Sequence, residues 1–379
     1  MKSCERFIAA LKNKPVDRVP VVPKIWVDFS AKIAGVDLKD VIQDKLTALR
    51  VIAITGKRLG FDAVRQFHSP SKKITEEDGV LYELNSSGIK KGKIDIKGNL
   101  STHLFDSKDY RIDDPLTIAY ANSWTPSESV MNTIKDAEAI AVPDAKVFDY
   151  LGWAKMQKVV IDEFGDDMCF IGDCGSATMS FYITFRNIND AMMDLVTNPQ
   201  LVHTVMSKGT EIAIAKGKYW LDNGLKVLRL NDSAGNMSLI SPKHWNEFIF
   251  PYIKTVCDEL HNYKKETLIY CHICGNTLPV IDKLVETGLD CIGPLDPLGG
   301  FTVAQARQKA GDSICLMGGV NTLSLLNNTS EEVKQEAIRC IKDSGNNGGY
   351  VLSSGCVVPP ASPVENLLAL VEASKAMKH

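Results

Sequence analysis

The chain has 379 residues, 45% of them hydrophobic and 23% charged, the balance of an ordinary soluble globular protein. A formal net charge of -3 excludes a broad nucleic-acid surface, which needs a basic excess. No stretch approaches the ~18 apolar residues that span a bilayer, and the basic pairs Lys90-Lys91 and Lys264-Lys265 read as solvated loop positions.

In residues 1–12 apolar side chains fall at helical spacing between charges, which predicts an amphipathic helix and not a signal peptide. The ten cysteines form no regular framework. Without an export signal they should stay reduced, with cytoplasm the expected compartment, so a special cysteine binds metal or does catalysis. Apolar β-prone runs follow at 18–23 and 61–65. Then the period changes: 79–84 and 93–97 flank Asn85-Ser86-Ser87-Gly88, which predicts an antiparallel hairpin. Further runs at 168–171, 226–231, 267–272, 289–295, 314–317 and 349–353 are apolar nearly throughout, as strands buried on both faces are. Those of the second half alternate with helical patterns at 242–263, 277–286, 303–309, 331–342 and 364–377.

Eight strands in parallel β/α units predict a TIM (β/α)8 barrel with an N-terminal helical and β-hairpin addition. The expected organisation is one domain over 1–379 with a cap inserted at about 75–140. An open doubly wound sheet lacks support, because no glycine-rich phosphate loop follows the first strand.

The sharpest local signal is Cys271-His272-Ile273-Cys274-Gly275 at the end of a strand. Residues two apart on a strand share a side, so His272 and Cys274 face one way and would point into the barrel mouth. Cys356, in Ser354-Gly355-Cys356-Val357-Val358-Pro359-Pro360, follows the last strand at the same end. Two thiolates and one imidazole suit Zn²⁺, and three protein ligands leave a fourth position open, as in catalytic zinc. Such a set keeps sulfur deprotonated and electron-rich, which suits alkyl transfer better than water activation. Asp232 is the candidate catalytic carboxylate beside the metal strand. Asp173, Ser176, Asn231 and Asp296, all at strand ends, are candidates for holding substrate. His68 and His103 belong to no motif and read as structural or surface residues.

The segment Leu230-Asn231-Asp232-Ser233-Ala234-Gly235, with Ile240-Ser241-Pro242 and Glu247-Phe248-Ile249-Phe250-Pro251-Tyr252 after it, resembles the uroporphyrinogen decarboxylase superfamily. So do Leu316-Met317-Gly318-Gly319-Val320 with Thr329-Ser330-Glu331-Glu332-Val333, and Ser354-Gly355-Cys356 with Pro359-Pro360 and Glu365-Asn366. Within it, His272-x-Cys274 and the distant Cys356 resemble the zinc motif of the methylcobamide:thiol methyltransferases, the coenzyme M enzymes among them. That resemblance implies a TIM barrel, Zn²⁺, a corrinoid (cobalamin) carried by a partner protein as co-substrate, and a small-molecule thiol acceptor. The alternatives are a methyltransferase that loads the corrinoid from a methoxy or methylamine donor, and a metal-free porphyrinogen decarboxylase. The decarboxylases carry an arginine-rich first-strand region, whereas Pro23-Lys24-Ile25-Trp26-Val27-Asp28 has no arginine.

Overall fold

The computed structural model describes residues 1–85, 87–95, 102–104, 111–121, 128–345 and 348–377, for 102–104 the backbone alone. Ile96 and Lys97, at the end of the expected hairpin arm, and the side chain of His103 lie outside the described residues.

Seven strands form one parallel sheet: β1 (Ala63–Arg65), β6 (Cys169–Gly175), β7 (Val227–Asn231), β8 (Leu268–His272), β9 (Cys291–Leu295), β10 (Cys315–Val320) and β11 (Tyr350–Ser354), adjacent in that order. Residues 19–24 supply the eighth stave. Val22 N donates to Leu352 O and Leu352 N to Pro20 O on one side, and Asp62 N donates to Val21 O on the other, each at 2.9 Å. The ring therefore closes as a TIM barrel. Between β1 and β6 the chain forms a four-stranded antiparallel meander of β2 (Lys73–Glu77), β3 (Val80–Leu84), β4 (Lys90–Ile94) and β5 (Thr102–Leu104). Tyr82 pairs with Lys93 across the β3–β4 turn, and Leu81 and Ile94 pack on Ile42.

Strand parity sets the two layers of the core. Ala63, Ile171, Val227, Leu268, Tyr270, Cys291, Cys315 and Val351 point to the barrel axis, while their neighbours face the outer helices. The N-terminal helix, Ser3–Leu11, inserts Phe7, Ala10 and Leu11 among the inward residues and seals the floor. Phe7 is wholly buried there, so truncating it to alanine would cost about 3–5 kcal/mol. At this floor, Asp62 accepts from Arg6 at 2.7 Å and from Arg18 at 2.8 and 2.9 Å, tying the helix to the first two staves.

Local signals start the outer helices. Ser241 caps the helix Pro242–Phe248 with proline in its first turn, and Thr302 with Gln305 and Thr329 with Glu332 form reciprocal caps. The single helical pattern expected over 242–263 is two helices, broken at Ile249 immediately before Phe250-Pro251. Proline removes the donor that would continue the first helix, and it fits the first turn of the second. No helix among the described residues is long and apolar enough to cross a membrane.

Candidate metal centre

His272, the last residue of β8, points to the axis like Leu268 and Tyr270 below it and is wholly buried. Gly275 then turns the chain at φ +81°, where a side chain would press on Asn236 at 3.1 Å; this turn keeps Cys274 at the mouth. Cys356 arrives from the segment after β11. A Cβ on Gly355 would stand 2.7 Å from Pro297 Cδ, so glycine is needed here for closeness to the β9 loop. One ligand atom from each of His272, Cys274 and Cys356 lies within 4.8 Å of the other two.

The trio's electrostatics favour metal ligation. Burial, with Lys24 and Arg229 nearby, holds the His272 imidazole neutral, far below its ordinary pKa. Its Nδ1 is buried and has no hydrogen-bond partner, which fits a nitrogen lone pair meant for an ion. The adjacent Cys356 thiol, helped by Ser233 and Lys24 against the cost of burial, lowers Cys274 to about 6. Both thiols stay partly open to the mouth. Lys24, on the first stave, sets its Nζ 3.0 Å from His272 Nε2; in the tautomer that leaves Nδ1 its lone pair, Nε2 carries the ring proton and the Lys24 amine accepts it. Burial and Arg229 bring its pKa down to about 7, and the two thiols pull the other way. Soft, close-set and fed by a neutral imidazole, the donor set fits zinc.

The other expected residues fall into two groups. Asp173, Asn231 and Ser176 are joined through Arg229, which the sequence reading missed. Arg229 Nη1 donates to Asp173 at 2.6 Å, its Nη2 to Asn231 Oδ1 at 2.5 Å, and Asn231 Nδ2 to Ser176 Oγ at 3.2 Å. Ser233 Oγ links this array, through Asn231 at 3.4 Å, to the surroundings of Cys274. Asp296 accepts from Gly275 N at 2.9 Å and Leu298 N at 3.0 Å, bracing the turn that carries Cys274. Asp232 stands apart from the trio. Its parity is that of the outward residues Leu228 and Leu230, and its oxygens take Thr178 Oγ1 at 2.5 Å and Ser180 N at 2.7 Å. Burial raises its carboxyl to about 6, against the pull of those bonds. Lys24 was legible in principle: it is two residues beyond inward-facing Val22.

A family model described as Uroporphyrinogen decarboxylase (URO-D) matches residues 117–377. Among curated relatives, a uroporphyrinogen decarboxylase of Coxiella burnetii is 29% identical over 54% of this chain and 56% of its own length. The chain thus spans little more than half of that relative. A Methylcobamide:CoM methyltransferase, MtbA, of Methanosarcina acetivorans is 23% identical over 99% of this chain and 98% of its own. A Methylated-thiol--coenzyme M methyltransferase of Methanosarcina mazei is 27% identical over 47% of this chain and 46% of its own. The solved structure of a methyltransferase from Methanosarcina mazei superposes with a TM-score of 0.70 at 16% identity, covering 99% of both chains, a likeness of fold.

Proposed function

The chain belongs to the uroporphyrinogen decarboxylase (URO-D) family, and from that premise we propose that it is a zinc-dependent methyltransferase moving a methyl group between a corrinoid protein and a thiol. The observation that carries this reading is the convergence of His272, Cys274 and Cys356 within 4.8 Å at the barrel mouth. A zinc ion held there would supply the Lewis acidity that keeps a substrate thiol deprotonated at neutral pH.

The chain's own residues do the rest. His272 offers a neutral nitrogen because burial excludes its proton, and Cys274 is already biased toward thiolate. Asp296 fixes the Cys274 turn through Gly275 N. The Asp173–Arg229–Asn231–Ser176 array presents hydrogen-bonding groups next to the trio, where a substrate's polar end would be oriented. Asp232 acts as a positioning residue that holds the loops after β6 and β7 together. The family name also offers a decarboxylase reading, but loss of CO2 from a porphyrinogen gives soft sulfur ligands no task.

Metal analysis of the purified protein tests the centre: about one zinc per chain is expected, and Cys356→Ala should lose it. Mixing the protein with methylcobalamin and a panel of thiols, while following the cobalamin spectrum, tests the reaction. Metal-free protein that consumes a porphyrinogen would overturn the proposal. Methylation of the reduced corrinoid from a methoxy or methylamine donor, with no thiol turned over, would reverse the direction.

A further inference from the structure

On the outer side of the barrel wall, behind β1 and β6, three polar side chains are buried together with no acid bonded to them. Lys216, on the helix Pro199–Asp222, is 4% exposed, and its ammonium stands 5.6 Å from the centre of the Trp153 ring. It makes no hydrogen bond or ion pair with any described residue; Asp173 acts on it from a distance but is bonded to Arg229 at 2.6 Å. Gln157 is one turn along the helix Trp153–Phe164 from Trp153, on the same face. It is 3% exposed, and neither end of its amide has a partner. His68, three residues past β1, lays its ring 5.3 Å from Trp153 and 4.8 Å from Trp220. Its two ring nitrogens are sealed from solvent beside the Trp153 backbone without a well-formed hydrogen bond. The two indoles run parallel, 5.8 Å apart.

A buried ammonium lacking an acceptor costs several kcal/mol, and each unpaired buried amide or imidazole group costs about 1–3 more. What sets these three apart from the other unpaired groups of the chain is their common neighbour: Lys216 and His68 both face Trp153, and Gln157 lies one turn along the helix face that carries it. Their chemistry is mutually consistent. Ammonium, amide and imidazole N–H donors around a single unpaired positive charge match a monoanion with two acceptor oxygens. The indoles offer a flat apolar wall to the rest of the molecule. We infer that Lys216, Gln157 and His68 form a second binding site, on the other side of the barrel wall from the cysteine pair, for a small organic monocarboxylate lying against Trp153 and Trp220.

The test titrates the full-length protein with sodium acetate and sodium benzoate at fixed ionic strength, chloride replacing them in the control. Tryptophan emission and isothermal calorimetry give the two readouts. The expected result is saturable binding of one equivalent, lost in Lys216→Met and weakened about tenfold or more in Gln157→Leu. Zinc content should be unchanged in both variants. If Lys216→Met fails to fold, Gln157→Leu carries the test. A linear, unsaturable response of the unaltered protein overturns the inference, as does equal affinity in Gln157→Leu or Lys216→Met.

Discussion

At the floor of the barrel, Arg6 and Arg18 close on Asp62 at 2.7 and 2.8 Å; at the mouth, Lys24, Arg65 and Arg229 lie together with Asp173 as the one described carboxylate bonded to any of them. The thiols divide in the same way. Cys291 points to the axis near the floor, where burial and the neighbouring Cys315 drive its pKa far up, so it behaves as a small apolar side chain. Cys274, among cations at the mouth, is brought down to about 6. Charge is thus sorted by position along the barrel axis: matched charges and protonated sulfur hold the floor, while the mouth gathers unmatched cations and a thiol pair in which Cys274 is lowered at the expense of Cys356, which is pushed up.

Substitutions at the two ends would break or sharpen that contrast. The largest effect is expected at the floor: Asp62→Ala strands two buried guanidinium groups and should lower unfolding free energy by about 3–5 kcal/mol in urea melts. A small change there would mean that the floor network is not structural. Next comes acid, acting from the mouth side. Burial holds the His68 pKa at about 3, against 6.5 for the ordinary imidazole. Below about pH 6.5 the unfolded chain gains a proton that the folded chain refuses until about pH 3. Stability therefore falls as pH falls, at up to about 1.4 kcal/mol per unit. Between pH 6.5 and 5, thermal melts of the unaltered protein should lose about 2 kcal/mol more than those of His68→Phe; parallel curves would show that the ring titrates normally.

Smaller and more local, Asp296→Ala frees the turn behind Cys274. It should weaken affinity for the proposed zinc about 10- to 100-fold in chelator competition, with little change in the melt. Smallest, Cys291→Ala should cost only about 1 kcal/mol and leave the metal content as it was. Loss of metal from that variant would undo the distinction between the two kinds of cysteine.

All eight staves are readable in the sequence because strands buried on both faces appear as apolar runs, and the period of two is enough to set His272 and Cys274 on the axial side. Cys356 is readable from its place just past the last strand. The inward side of Lys24 follows from its parity with Val22, but its contact with His272 does not, because that residue lies 248 positions away. Asp232 is the converse case. It ends an inward-pointing signal, but one step of parity turns it outward to Thr178 and Ser180. Lys216 and Gln157 belong to no motif, and only the packing around Trp153 shows the lysine over an indole with no bonded acid and the glutamine amide without a partner.

The first stave is hydrogen-bonded to the last, and Ser353 Oγ reaches the Val22 carbonyl across 331 residues of chain. During synthesis at ~5–20 residues per second, the N-terminal stave would therefore wait roughly 15–70 seconds for the neighbour that closes the ring. Until then its free edge is available for wrong pairings. Ribosome-bound chains halted before residue 350 should therefore lean on chaperones far more than the released protein does.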